Sequence, residues 1–195
     1  MTRAWGTDGV RDVQPRIPRR SARDRGVHRA DDEAGLGAEL AAVVAVARRR
    51  AVRDGDRQID TAHLLHSLLE TDAEVRAAIG DARKVVRLLG YLVQRSIGYG
   101  LRWQSSVEDS GAPSFPKDAE GWSPVAAAAM RGARERAGRR GEERARGLDL
   151  LAALTADPQA RAVEVLRRAG VEASGLRARI DRAAAECVGD CGRAR

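Results

Sequence analysis

Two histidines, His63 and His66, stand one helical turn apart in the stretch "IDTAHLLHSLLE", residues 59–70. On a helix that spacing puts both imidazoles on neighbouring parts of one face. Imidazole is a common metal ligand and a common general base. A zinc site would need at least one more nearby ligand, for which Glu70 and Asp72 could be recruited. Nucleophilic catalysis would need a nucleophile, a base and an orienting group together. Neither GxSxG nor HExxH occurs in the chain. The expectation is therefore no catalytic residues, no metal and no cofactor. His63 is expected to be a structural imidazole near a helix start, bonded to the neighbouring loop, and His66 to face the surface.

Other reactive or charged residues carry weaker signals. Cys187 and Cys191 lie in "AECVGDCGRAR", outside the CxxC spacing of zinc and redox sites and without a second pair. Net charge is +7, almost all from arginine, with lysine only at Lys84 and Lys117. The stretch "RGARERAGRRGEERAR", residues 131–146, holds seven arginines against three glutamates. It is the best sequence candidate for an anion-binding face, set against a solvated helix face with Glu–Arg pairs. Aromatics are only 3% of the chain, and Tyr91, Tyr99, Trp103, Phe115 and Trp122 gather in one region. They would line a groove for an extended peptide or small apolar ligand, or else anchor a linker to the core.

The elements that must position these residues are helical. A core of alanine, leucine and valine with few aromatics favours close-packed helices over sheet. No apolar run reaches the length of a membrane span, and the basic N-terminus lacks an apolar signal region. A cytoplasmic location is the expectation. Residues 1–34 are polar and aperiodic, which predicts a disordered basic arm. From Leu36 an apolar stripe runs through Leu40, Val43, Val44, Ala47 and Ala51, and Gly55 ends that helix. Asp60 or Thr61 would cap the next helix. Val75, Ala78 and Ile79 mark a third, and Val85, Leu88, Leu89, Leu92 and Val93 a fourth. Residues 96–121 read as a linker. Ser123 then caps a helix with Pro124 at its first position.

The second half repeats the first at a shift of 86. Val44, Ala47, Ala51 and Gly55 meet Met130, Ala133, Ala137 and Gly141, and Leu64, Leu65 and Leu68 meet Leu150, Leu151 and Leu154. After one inserted residue, Val75, Ala78 and Ile79 meet Ala162, Val165 and Leu166, and Leu89 and Val93 meet Leu176 and Ile180. A matched series over four helices indicates duplication. The expected fold is all-α: a duplicated four-helix repeat forming a pseudo-twofold eight-helix bundle. Its domain spans 35–187, with repeat one at 36–95, the linker at 96–121, repeat two at 122–187 and a flexible tail at 188–195.

The doubled unit resembles the Clp N-terminal repeat domain of AAA+ unfoldases of the ClpA, ClpC and ClpB kind. Ala47, Ala51, Gly55, Ile59, His63, Leu64, Leu65, Leu68 and Leu69 carry the match in repeat one. Ala133, Ala137, Gly141, Leu150, Leu151 and Leu154 carry it in repeat two. The resemblance implies a domain that binds substrates or adaptor proteins for an ATPase ring. No Gly-Lys pair exists for a P-loop, so a free-standing N-domain without ATPase modules is expected. In ClpC-type members the resemblance implies phosphoarginine sites at positions corresponding to Gly37 and Ala62 in repeat one, and Ser123 and Leu148 in repeat two. Only Ser123 keeps a hydroxyl, and both acids that would pair a guanidinium are gone. That mode is expected to be lost or much weakened.

The functional expectation is a non-enzymatic protein-binding module, an adaptor, decoy or regulator of Clp-dependent proteolysis. Its partners would be polypeptide substrates or a Clp ATPase or protease component, with a small apolar ligand as a further option. The ligand or peptide contacts would come from Ser123, Trp122, Trp103, Tyr91, Ala62 and Leu148. His63, Leu64, Leu65, Gly55 and Gly141 are the structural signature. The alternative is a basic nucleic-acid-binding or regulatory protein, which lacks a recognition helix or aromatic stacking platform in its support.

Overall fold

The computed structural model describes residues 36–97, Glu108 and residues 121–193, with side chains as far as 185. Eight helices are present among the described residues. They are α1 (Ala38–Arg53), α2 (Thr61–Thr71), α3 (Ala73–Ile79), α4 (Ala82–Ser96), α5 (Pro124–Arg139), α6 (Gly147–Leu154), α7 (Arg161–Arg168) and α8 (Ala173–Arg193). Short polar side chains start many of them by accepting backbone N–H groups left over at a helix N-terminus. Asp60 accepts from His63, Asp72 from Glu74 and Val75, Asp81 from Arg83, and Ser123 from Ala126. Pro124 follows Ser123, where its missing N–H costs nothing. Gly55 and Gly141 both turn the chain after the first helix of a repeat, each with φ +74. A Cβ is disfavoured in that left-handed region, so the two repeats use the same device.

Helices α1–α4 and α5–α8 form two lobes with matching packing. α1 lies on α2 and α5 lies on α6 through the alanine stripes, whose small side chains let the axes approach closely. The repeated leucines Leu64, Leu65, Leu68, Leu150, Leu151 and Leu154 are all buried. Each contributes about 1.5–3 kcal/mol of transfer free energy.

The lobes interlock. Leu36, before α1, forms an isolated parallel bridge with Ala145, before α6, and Gly37 donates its N–H to the Ala145 carbonyl at 3.1 Å. The pseudo-symmetric mate joins Trp122, before α5, to Ile59, before α2. There Ile59 donates to Gly121 at 2.7 Å and Ser123 donates to Ile59 at 2.8 Å. α2 packs on α7 and α3 packs on α6, so the second helix of each lobe covers the third helix of the other. The buried residues form one continuous cluster across both lobes.

Four expectations require correction or placement. In α4 the buried positions are Val85, Leu88 and Leu92, while Val93 is half exposed. Leu176 and Ile180 are therefore the partners of Leu88 and Leu92. The connection from α7 to α8 is longer than that from α3 to α4, and it absorbs a second inserted residue. His66 is buried rather than surface-facing. α2 is covered by α1, α4 and the opposite lobe, and Arg50 reaches over His66 to pair with Glu70. α8 continues to Arg193, past the boundary at 187, because no proline interrupts it. The arm at 1–34, Tyr99, Trp103 and Phe115 lie outside the described residues, and the side chains of Cys187 and Cys191 do as well.

Candidate functional site

The polar residues of the interior converge on the start of α2. Asp60 and His63 form a capping box there. The Asp60 carboxylate accepts the His63 N–H at 2.9 Å, and His63 Nδ1 takes the Asp60 N–H at 3.2 Å. Two guanidinium groups then reach the same carboxylate. Arg95 Nη2, from the end of α4, donates to Asp60 Oδ2 at 2.5 Å and to Asp56 Oδ2 at 2.8 Å. Arg161 Nη1, from the other lobe, donates to Asp60 Oδ2 at 2.6 Å. Burial alone would raise the Asp60 pKa. The hydrogen bonds with His63 and the charge of Arg95 outweigh burial and hold the carboxyl well below the ordinary range.

Asp56, Asp60 and His63 bring ligand atoms within 4.8 Å of one another, the spacing of a cation site. Arg95 already lies against all three, with Nη1 3.1 Å from His63 Nε2. A metal at that point would meet a resident guanidinium, so the cluster is satisfied by a protein cation. His66 contributes no ligand to it. Burial, then the charge of Arg50, lowers the His66 pKa to about 4. At neutral pH the ring is uncharged, and Glu70 Oε1 stands 3.2 Å from Nε2 without a hydrogen bond of acceptable geometry.

Beside this network lies a second constellation that sequence patterns did not indicate. Glu108, inside the linker region, is buried at 5% exposure. Its carboxylate accepts the Thr61 N–H at 2.9 Å, the Ser123 hydroxyl at 2.8 Å and the Arg161 N–H at 2.7 Å, and the Thr61 hydroxyl also donates to it. Thr61 Oγ1 accepts in turn from the Ala162 N–H at 3.0 Å. One acidic side chain thus serves the N-termini of α2 and α7 and the cap of α5. The residue before α7 is Ala160, which has no capping side chain of its own. Negative charge at helix N-termini is favourable, and four donors on one carboxylate make a strong local anion cradle. No periodicity or motif marks Glu108, because its partners are brought together only by the tertiary fold.

The corresponding place in lobe two is built from different residues. Position 147 is Gly where lobe one has Thr61, and a Cβ there would collide with the Asp72 carboxylate. Asp149 takes the place of His63 and accepts the Arg146 N–H at 3.0 Å. Arg140, in the place of Asp54, donates to Asp149 Oδ2 at 2.7 Å and to Glu142 at 3.1 Å. At two of these positions the lobes carry opposite charges, Asp54 against Arg140 and Asp60 against Arg146, while Asp56 and Glu142 are acidic in both. These pairs also occupy much of the arginine-rich stretch. Arg136 donates to Asp181 at 2.6 Å and Arg146 to Glu142 at 2.9 Å.

The residues expected to contact a ligand separate into different settings. Ser123 is buried and committed to Glu108 and to capping α5. Ala62 is buried in the core, and Trp122 is buried at the inter-lobe bridge. Tyr91 is half-buried and packs on the core edge. Leu148 is half-buried and lines a cleft of about 760 Å³ with Glu74, Arg136, Arg140, Ile180 and Ala184. Gly37 binds the Ala145 carbonyl through its backbone, and a side chain there would crowd that oxygen.

No protein-family model and no curated protein matches the chain. Solved structures do match. A chain from a structural study of a malarial protein secretion system is 14% identical, with a TM-score of 0.56, over 77% of this chain and 95% of that one. The N-terminal domain of the caseinolytic protease associated chaperone ClpD from Arabidopsis thaliana is 18% identical, with a TM-score of 0.55, over 75% of this chain and 92% of that one. The duplicated eight-helix bundle is accordingly a Clp N-domain-like fold.

Proposed function

We propose that this protein is a non-enzymatic, protein-binding module of the Clp N-domain kind, acting as an adaptor, decoy or regulator in Clp-dependent proteolysis. The observation that carries the proposal is the match to the N-terminal domain of a protease-associated chaperone over nearly all of that domain's length. The polar interior supports a binding role over chemistry. His63, Asp60 and Asp56 are engaged by Arg95 and Arg161, and the Ser123 and Thr61 hydroxyls are engaged by Glu108. Each of these five groups is thereby held in an intramolecular contact. The loss of acids at Ala62 and Leu148 argues against the ClpC-type phosphoarginine mode, whose guanidinium-pairing acids would stand at those two positions.

The test is affinity capture of the full chain from the source cell, followed by mass spectrometry. Recovery of a Clp ATPase or protease subunit, with reconstitution of that pair from purified components, is the expected result. A chain that recovers no such subunit and does not alter Clp proteolysis of an unfolded client refutes the proposal. Binding to random duplex DNA at two salt concentrations checks the alternative. The pairing of Arg136, Arg140 and Arg146 with acids leads us to expect weak affinity with a shallow salt slope.

A further inference from the structure

α4 has two apolar faces, and only one of them is covered. Val85, Leu88 and Leu92 are buried against α2, α3 and α7. Val86, Val93 and Ile97 are 70%, 50% and 68% exposed. At 3.6 residues per turn these three fall within about 40° of one another on the helix surface. Gly90 lies in the same stripe and Leu89 continues it down to the core edge. With the buried α4 side chains, the result is a helix that is apolar on opposite sides. A surface helix that packs once needs only one such face.

The flank of the stripe is cationic. Arg83 and Arg87 are exposed and project about 60–100° from Val86. Neither side chain has an ion pair among the described residues. α4 contains no acidic residue at all, unlike the mixed-charge surfaces of α5 and α7. A second copy of the chain fits this face poorly. Two α4 helices side by side would set cations against cations, which costs affinity.

We propose that the outer face of α4 is a docking surface for an acidic amphipathic helix of a partner protein. Val86, Val93 and Ile97 take its apolar side chains and Arg83 and Arg87 pair its carboxylates. Helix-on-helix recognition of this kind uses apolar anchors at i, i+3, i+4 and i+7 with charges that fix register. The inference deepens the protein-binding function proposed above and depends on it.

The test uses the full chain and a labelled synthetic peptide of two designs. One is a helical peptide with a leucine stripe flanked by glutamates, and the other has lysines in place of the glutamates. Fluorescence anisotropy is expected to show saturable binding of the acidic peptide and at least tenfold weaker binding of the basic one. Val93→Glu is expected to weaken the acidic peptide at least tenfold, with unchanged circular dichroism because the position is exposed. The double change Arg83→Glu and Arg87→Glu is expected to reverse the peptide preference. Equal binding of both peptides, or full retention in Val93→Glu, overturns the proposal. So does a dimer in size-exclusion chromatography that Val93→Glu converts to monomer, which assigns the face to a second copy. If the peptide fails while the Clp subunit is still captured, the surface is wrong and the module stands. If both fail, both fall.

Discussion

Arg161 Nη1 donates to Asp60 Oδ2 at 2.6 Å, which joins the first turn of α7 to the cap of α2 across 101 positions of sequence. Removing one partner of a buried charge pair leaves the other without compensation, and the cost is typically about 3–5 kcal/mol. Arg95 remains on Asp60, so the loss here falls at the lower end. Arg161→Met is expected to reduce unfolding free energy by about 3 kcal/mol. Urea denaturation followed by circular dichroism measures this, and an effect under about 1 kcal/mol would show that the contact is dispensable.

Glu108 should matter more than its place in a linker implies. Glu108→Ala strands two backbone N–H groups and two hydroxyls in the interior. Hydrogen bonds to a charged group contribute about 1.5–3 kcal/mol each, and buried donors left unmade carry a similar cost. Four such contacts amount to about 6 kcal/mol or more, and relief from burying the carboxylate offsets part of it, so the expected loss is on the order of 3 kcal/mol or above. Ala160→Asp would restore a cap to α7 and should recover part of it, as thermal denaturation of the double variant would reveal.

Acid should destabilise the fold in two stages. The His66 pKa is lowered to about 4 in the folded chain from an ordinary 6.5, so the unfolded chain binds the extra proton first. Stability therefore rises with pH between about 4 and 6.5, and is lost as pH falls through that window. The Asp60 carboxyl is depressed, so its contribution is present above about pH 4 and is lost at still lower pH. His66→Leu should flatten the stability profile between pH 6.5 and 4.5 while leaving the steeper acid limb intact. Denaturant midpoints measured at half-unit pH steps decide this.

Gly147 has no room for a side chain. A methyl group there would displace the Asp72 carboxylate that caps α3. Gly147→Ala should cost roughly 1–3 kcal/mol by overpacking at this buried position, only partly offset by a gain in helix propensity. Gly138→Ala, on the same kind of helix with open space around it, should be neutral or stabilising and serves as the control.

The helices and much of the core were legible because burial follows the period of the apolar residues. Leu64, Leu65 and Leu68 recur as Leu150, Leu151 and Leu154, and every one is buried. Gly55 and Gly141 share a conformation because the turn after a helix demands it. The reading of α4 slipped by one residue because Leu88, Leu89, Leu92 and Val93 form two overlapping stripes, and periodicity alone cannot tell which one faces inward. His66 was misplaced for a related reason. α2 is covered on nearly every side, so its polar residues are buried along with its leucines. Glu108 carried no signal, since its donors come from Thr61, Ser123 and Arg161.

The reciprocal bridges have a consequence for synthesis. Leu36 finds its mate in Ala145, and Ile59 finds its mate in Trp122. The first lobe therefore leaves the ribosome with its edges unmatched and its α2 and α3 faces bare. It is expected to close only when the second lobe has emerged. A nascent chain halted before Trp122 should stay open to protease, and one extended past α7 should become resistant in a single step.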